Sequence, residues 1–226
     1  MFDIGENIRT LKNQIPAGVK LVAVSKTKPV EDILFAYSKG QRAFGENRIQ
    51  EILVKKSSLP IDIEWHFIGH LQSNKVKFIV PFITLIQSVD TLKLLNTINS
   101  EALKINRVVD CLLQLHIARE ETKFGFSADE IYDILSSSVL INFTNIRICG
   151  LMGMATFTEN KTLVREEFHY LSKLFIDLKQ AYFSNKNEFK EISMGMSGDY
   201  NIAIEEGSTM IRLGSSIFGD RFKENE

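Results

Sequence analysis

Residues 21–29 read LVAVSKTKP: four apolar residues, a serine, two lysines two positions apart, then Pro29. A lysine at the edge of an apolar layer is destabilised in its charged form, so its pKa falls and a neutral nucleophile becomes available. Condensation with an aldehyde needs such an amine. A strand-end lysine that simply reaches water has the same local sequence, and Lys28 has similar spacing. Lys26 therefore needs companions.

They lie near the other end of the chain. SMGMSGD carries Gly195, Ser197 and Gly198, and MIRLGSSIFGD carries Gly214, Ser215 and Ser216. Glycines let backbone N–H groups approach an anion, serines add hydroxyl donors, and a helix N-terminus favours negative charge. Either loop alone reads as turn chemistry; two together favour a phosphate site. Arg212 stands inside an otherwise apolar strand pattern, where a guanidinium keeps its charge and only donates. It is either half of a buried salt bridge or a donor to a ligand heteroatom beneath the phosphate. An amine, a phosphate cup and a deep donor together outline pyridoxal 5′-phosphate (PLP). Its aldehyde would go to Lys26, its phosphate to the last two loops and its pyridine nitrogen to Arg212.

Something must bring residues almost 190 positions apart to one place. Eight apolar runs read as strands: 21–25, 42–45, 64–68, 84–89, 109–117, 147–154, 191–196 and 210–214. Several are apolar at consecutive positions, the pattern of strands covered on both faces in a parallel sheet. Helical patterns separate them. Ile33, Leu34 and Tyr37 share one helix face, and Leu92, Leu95, Ile98 and Leu103 form an apolar stripe on another. Ser127 and Glu130 fit a capping box, and Phe168, Leu171, Phe175 and Leu178 line a helix over 163–182. A first helix over 2–14 is expected to pack over one end of the sheet. A doubly wound sheet would place G-x-G-x-x-G after its first strand, but VSKTKP has no glycine. The pattern predicts a single-domain (β/α)8 TIM-type barrel over 1–226, with an extra N-terminal helix and its chemistry at the carboxyl ends of the strands.

Composition sets outer bounds. Lys and Arg number 27 against 28 Asp and Glu, a net charge of −1, which offers nothing to nucleic acid or an anionic membrane. The pair Lys55-Lys56 reads as a solvated helix face. Cys111 and Cys149 lie in apolar runs and read as small buried thiols. The N-terminal segment has no signal-peptide core, and FIVPFITLI is too short to span a bilayer. A soluble, cytoplasmic protein is expected.

The segments VSKTKP, FGENRIQE, WHFIGHLQSNK, GLMGMAT, SMGMSGD and GSTMIRLGSSIFG occur in this order between about residue 20 and residue 221. Together they resemble the signatures of the pyridoxal phosphate homeostasis proteins, PLP-binding barrels related to the N-terminal domain of alanine racemase. The resemblance implies that Lys26 carries PLP as an aldimine, that Asn47 lines the site and that Met152 lies near the ring. It implies Ser193 and Ser197 around the cofactor, with Ser197 on the phosphate. It also implies Arg212 at the pyridine nitrogen and Gly214 and Ser215 in the phosphate loop. Two residues depart from the pattern. Gly198 stands where Asp or Ala is common, and Phe124 where a smaller residue is usual.

A donor-only partner leaves the pyridine nitrogen unprotonated and the ring a weak electron sink, which disfavours transaminase chemistry. Racemisation needs an acid/base group on each face of the aldimine. Lys26 could serve one; the alanine racemases draw the other, a tyrosine, from a neighbouring subunit's C-terminal β domain, and no such domain is expected in the twelve residues after Gly214. His66 reads as a barrel histidine or a substitute acid, Tyr200 as packing, and His66 with His70 as no metal pair. The expectation is a protein that holds, buffers or delivers PLP, with no catalytic residue and no metal. It is expected to be a monomer with apo PLP-dependent enzymes as acceptors. A small amino-acid racemase and a Schiff-base aldolase for phosphorylated sugars are the alternatives.

Overall fold

The computed structural model describes residues 3–120 and 124–219. Its strands are β1 (Lys20–Val24), β2 (Ala43–Glu46), β3 (Glu64–Phe67), β4 (Leu85–Val89), β5 (Val109–Leu115), β6 (Ile146–Gly153), β7 (Glu191–Ser193) and β8 (Met210–Leu213). They pair in parallel in sequence order, and β8 closes on β1 with Val22 beside Arg212. The fold is a (β/α)8 barrel of the TIM type. The consecutive apolar positions follow from closure, because one side of each strand meets the helices and the other meets the barrel interior. Strand β7 is shorter than 191–196, yet the ladder continues: Met194 N–H donates to Met210, and Gly195 accepts from Arg212 N–H.

The outer ring consists of α1 (Ile4–Gln14), α2 (Val30–Ser38), α3 (Ile49–Ser58), α4 (Val76–Ile79), α5 (Leu92–Lys104), α6 (Ala128–Ser136), α7 (Lys161–Tyr182), α8 (Tyr200–Glu205) and α9 (Ser215–Phe218). Asp3 caps α1 by accepting from the N–H groups of Gly5 and Glu6, and position 2 lies outside the described residues. Helix α1 does not cover an end of the barrel. It packs beside α2 and α9, and Asn7 donates to the Ile217 carbonyl, so α1 occupies the flank where β8 meets β1. In α5 the buried stripe is Leu94, Leu95, Ile98 and Ala102, while Leu103 points outward. The inward phase passes through Ala102, one helical step from Leu103. The capping box at Ser127 is present, and α7 buries Phe168, Leu171, Phe175 and Leu178. None of the described helices is long and apolar enough to cross a membrane.

The lower barrel interior is filled by Val22, Ala43, Leu85, Leu112, Cys149, Met152 and Met210. Both thiols are buried without a disulfide, and burial pushes Cys149 up to about 12. A bulge in β6 sets which residues face in. Cys111 pairs with Ile148 and Leu112 with Gly150, so Cys149 is the extra residue. Gly150 takes φ 151°, and a Cβ there would stand 1.8 Å from the Glu191 carbonyl oxygen. Gly150→Ala is expected to lower unfolding free energy by on the order of 2 kcal/mol or more, measured by urea denaturation.

Candidate functional site

Period two carries each strand's inward side chains up to the barrel mouth. Val22 and Val24 lead to Lys26, Ala43 and Gly45 to Asn47, and His66 and Ile68 to His70. Met210 and Arg212 lead to Gly214. These upper residues line a cavity of about 740 Å³ at the carboxyl ends of the strands, together with Gln114, Met154, Ser197, Gly198 and Ser215. The cavity thus gathers Lys26, Asn47, Ser197, Arg212, Gly214 and Ser215. Met152 and Ser193 do not line it. Both are fully buried, Met152 one layer below Met154, and Ser193 under Arg212.

Lys26 is held through its neighbours. Ser25 does not leave the apolar layer; it is fully buried, and its hydroxyl donates to Glu46 Oε1 at 2.7 Å. Its carbonyl accepts from Lys55 Nζ at 2.9 Å. On the other side, Thr27 takes the left-handed φ of 64°, unfavourable for a β-branched residue, and its N–H donates to Glu51 Oε2 at 2.7 Å. Lys55 completes the frame by also donating to Glu46 Oε1 at 2.8 Å and Glu51 Oε2 at 3.0 Å. The expectation of a solvated Lys55 is therefore wrong. Its ammonium is buried because three acceptors from β1, β2 and α3 match its three donors. Burial pushes the Glu46 carboxyl upward against the pull of Lys55 and Ser25, and Glu46 Oε2 has no partner among the described residues. Lys28 Nζ donates to the Phe218 and Gly219 carbonyls, which ties it to the end of α9.

Arg212 is buried, and its NH1 and NH2 donate to Ser193 Oγ and the Gly153 carbonyl at 2.5 and 2.9 Å. Among the described residues no carboxylate pairs with it. Burial brings its pKa down to about 10, with Asp199 pulling the other way, so it stays protonated at neutral pH. The support continues downward. Ser193 Oγ donates to Gln87 Oε1 at 2.6 Å, and Gln87 Nε2 faces His66 Nδ1 at 2.8 Å. Since an amide nitrogen only donates, His66 is neutral with its proton on Nε2, an atom that has no partner among the described residues. Burial, aided by Lys20, lowers the His66 pKa to about 3. His66 is thus a prop beneath Arg212, remote from the cavity lining.

Two observations test whether the cavity fits PLP. Asn47 Oδ1 is buried without a partner among the described residues and stands ready for a donor from a bound group. The loops after β7 and β8 meet, with Ser216 N–H donating to Ser197 Oγ at 3.4 Å, and a Cβ at Gly198 would find open space. Both suit a ring hydroxyl and a phosphate. Gly69 brings the loop after β3 directly onto Asn47; a Cβ there would lie 2.4 Å from the Asn47 carbonyl oxygen.

One group escapes the sequence reading. His70 lines the cavity, its Nδ1 is 2.9 Å from Asp90 Oδ2, and its ring stacks on Phe124 at 4.3 Å. His66 and His70 are separated by depth, and no metal-binding cluster is found among the described residues. The signal available in the sequence was parity, since His70 follows His66 and Ile68 on the inward side of β3.

The family model for the N-terminal domain of alanine racemase matches residues 3–222. The pyridoxal phosphate homeostasis protein of Aquifex aeolicus is 39% identical over 203 residues, which cover 89% of this chain and 87% of that protein. Its human counterpart is 37% identical over 218 residues, covering 89% and 76%. The structure of PipY from Synechococcus elongatus with PLP bound is 34% identical, with a TM-score of 0.87, covering 96% of this chain and 100% of that one.

Lys55→Ala leaves a buried carboxylate unpaired and is expected to cost about 3–5 kcal/mol of unfolding free energy, read from urea midpoints. His66 gives an acid-side signature. The unfolded chain binds its proton near pH 6.5 and the folded one only near 3, so stability falls as pH drops through that window. The slope is at most about 1.4 kcal/mol per pH unit, and urea unfolding of His66→Gln at a series of pH values should lose this contribution.

Proposed function

We propose, from the premise that this chain belongs to the pyridoxal phosphate homeostasis protein family, that it binds PLP at the barrel mouth and holds it for delivery. The single observation that carries this reading is Arg212, a buried donor that no carboxylate among the described residues pairs with, lining a cavity that Lys26 also lines. When bound, PLP supplies an aldehyde that links reversibly to a primary amine and a ring that stores electrons when its nitrogen is protonated. Lys26 is suited to the aldehyde carbon, Asn47 to the ring hydroxyl, Arg212 to the ring nitrogen, and Ser197, Gly214 and Ser215 to the phosphate. Met152 and Ser193 act from beneath, Ser193 by holding Arg212.

Arg212 offers the ring nitrogen a hydrogen bond and keeps its own proton at neutral pH. It therefore sustains binding without making the ring a strong electron sink, which favours storage over turnover. In this reading a single domain acts in the cytoplasm as a monomer and passes PLP to apo PLP-dependent enzymes. The racemase alternative differs in demanding turnover. Incubation with a panel of L-amino acids is expected to leave optical rotation unchanged, and a loss of rotation abolished by Lys26→Ala would establish the racemase instead.

Borohydride reduction of the PLP-loaded protein should fix the label on the peptide containing Lys26, and Lys26→Ala should lower covalent capture to background. Mass spectrometry reads both, and a label on Lys28 would refute the assignment.

A further inference from the structure

We propose that His70, oriented by Asp90, is the proton-transfer group of the cavity and speeds both loading and release of an aldehyde cofactor at Lys26; this rests on the function proposed above. An exposed His–Asp pair is ordinarily a surface contact worth about 1 kcal/mol or less. This one is built differently. Asp90 is buried, with 5% of its side chain exposed, and its Oδ2 engages His70 Nδ1. The loop beneath is pinned by Ser88 Oγ donating to the Gly69 carbonyl and by the contact of Gly69 with Asn47. Phe124 covers one face of the ring. The ring is thus held by one edge and one face, and Nε2 makes no hydrogen bond with the described residues in a residue that lines the cavity.

Asp90 accepts only, so it selects the tautomer with the proton on Nδ1 and leaves the lone pair on Nε2, the arrangement of a general base. The other ionisable groups lining the cavity are engaged elsewhere. Asp199 accepts from Met196 N–H, Lys28 donates to the end of α9, and Arg212 keeps its proton. In release, water would add its oxygen to the carbon of the C=N bond at Lys26 while His70 Nε2 takes one water proton and hands it to Nζ, which receives the electron pair of the broken π bond. As the C–N bond breaks, His70 would take the remaining hydroxyl proton, so that C=O forms, and pass it to the departing Nζ; both water protons end on the lysine amine and no other reactant is needed. Loading is the same path reversed.

A proton-transfer group changes rates without moving the equilibrium, whereas a binding contact moves the equilibrium. Stopped-flow absorbance should follow PLP loading, and release should be followed into an excess of a small-molecule aldehyde trap. His70→Gln is expected to slow both by about 10²-fold, with Kd within about twofold of the wild type, and Asp90→Asn is expected to slow both in the same direction. A second readout needs no cofactor: ¹⁵N shifts of His70 in the ligand-free protein should show protonated Nδ1, a state lost in Asp90→Asn. Unchanged rates in His70→Gln, a Kd that rises with loading unaffected, or a mixed wild-type tautomer would each overturn the proposal. Borohydride capture at Lys26 separates the two readings. Its absence in the wild type overturns both, whereas capture with unaltered His70→Gln rates overturns only the role of His70.

Discussion

The site hangs on one buried ammonium. Lys55 reaches from α3 to the carbonyl of Ser25 and the carboxylates of Glu46 and Glu51, and so fixes the end of β1 against β2. Lys26 follows directly. A lysine side chain has many rotamers, and its amine can be aimed only if the backbone that carries it cannot drift. Here the residue before it is hydrogen-bonded through both side chain and carbonyl. The residue after it is held in a left-handed conformation by Glu51. Desolvating a lysine and a glutamate is costly, and such a pair does little for stability compared with apolar packing. What it supplies is a single register for the loop.

Arg212 is treated in the same way on β8, the strand next to β1. A polar strut of Ser193, Gln87 and His66 runs down the interior beneath it, above a floor of aliphatic and sulfur-containing side chains. Each link donates to the next, so only one arrangement of protons satisfies the whole chain, and it ends on a neutral imidazole. The backbone that carries the amine and the guanidinium on the next strand are therefore both held by groups outside the cavity lining. In the same cavity, Asn47 Oδ1 has no partner among the described residues, and Gly198 leaves open space. The rim is less polar. Phe124 stacks on His70, and Phe157, almost fully exposed, also lines the cavity.

The barrel was legible from the sequence because consecutive apolar runs and helical periodicity repeat eight times, and closure follows from that repetition. The same regularity made Lys26, Asn47, Arg212 and the last two loops readable, since strand ends mark the mouth and parity marks the inward side. Depth was not legible. Met152 and Met154 share the inward side of β6, yet only Met154 reaches the cavity, because Met152 sits one layer lower in the barrel interior. Leu103 fell outside its helix stripe because the inward phase is set one residue away at Ala102.

Amino-acid order alone determined the class of fold and marked Lys26, Arg212 and the last two loops as candidates for one cavity, because each depends on residue type and short spacing. Tertiary structure alone decided which polar groups were buried and with whom. Lys55 reads as a surface charge until three acceptors from different elements converge on it. His66 and His70 read as one motif until depth assigns one to the interior and the other to the cavity with Asp90 and Phe124. Burial and pairing are properties of what surrounds a residue, and its surroundings come from segments far away in the chain.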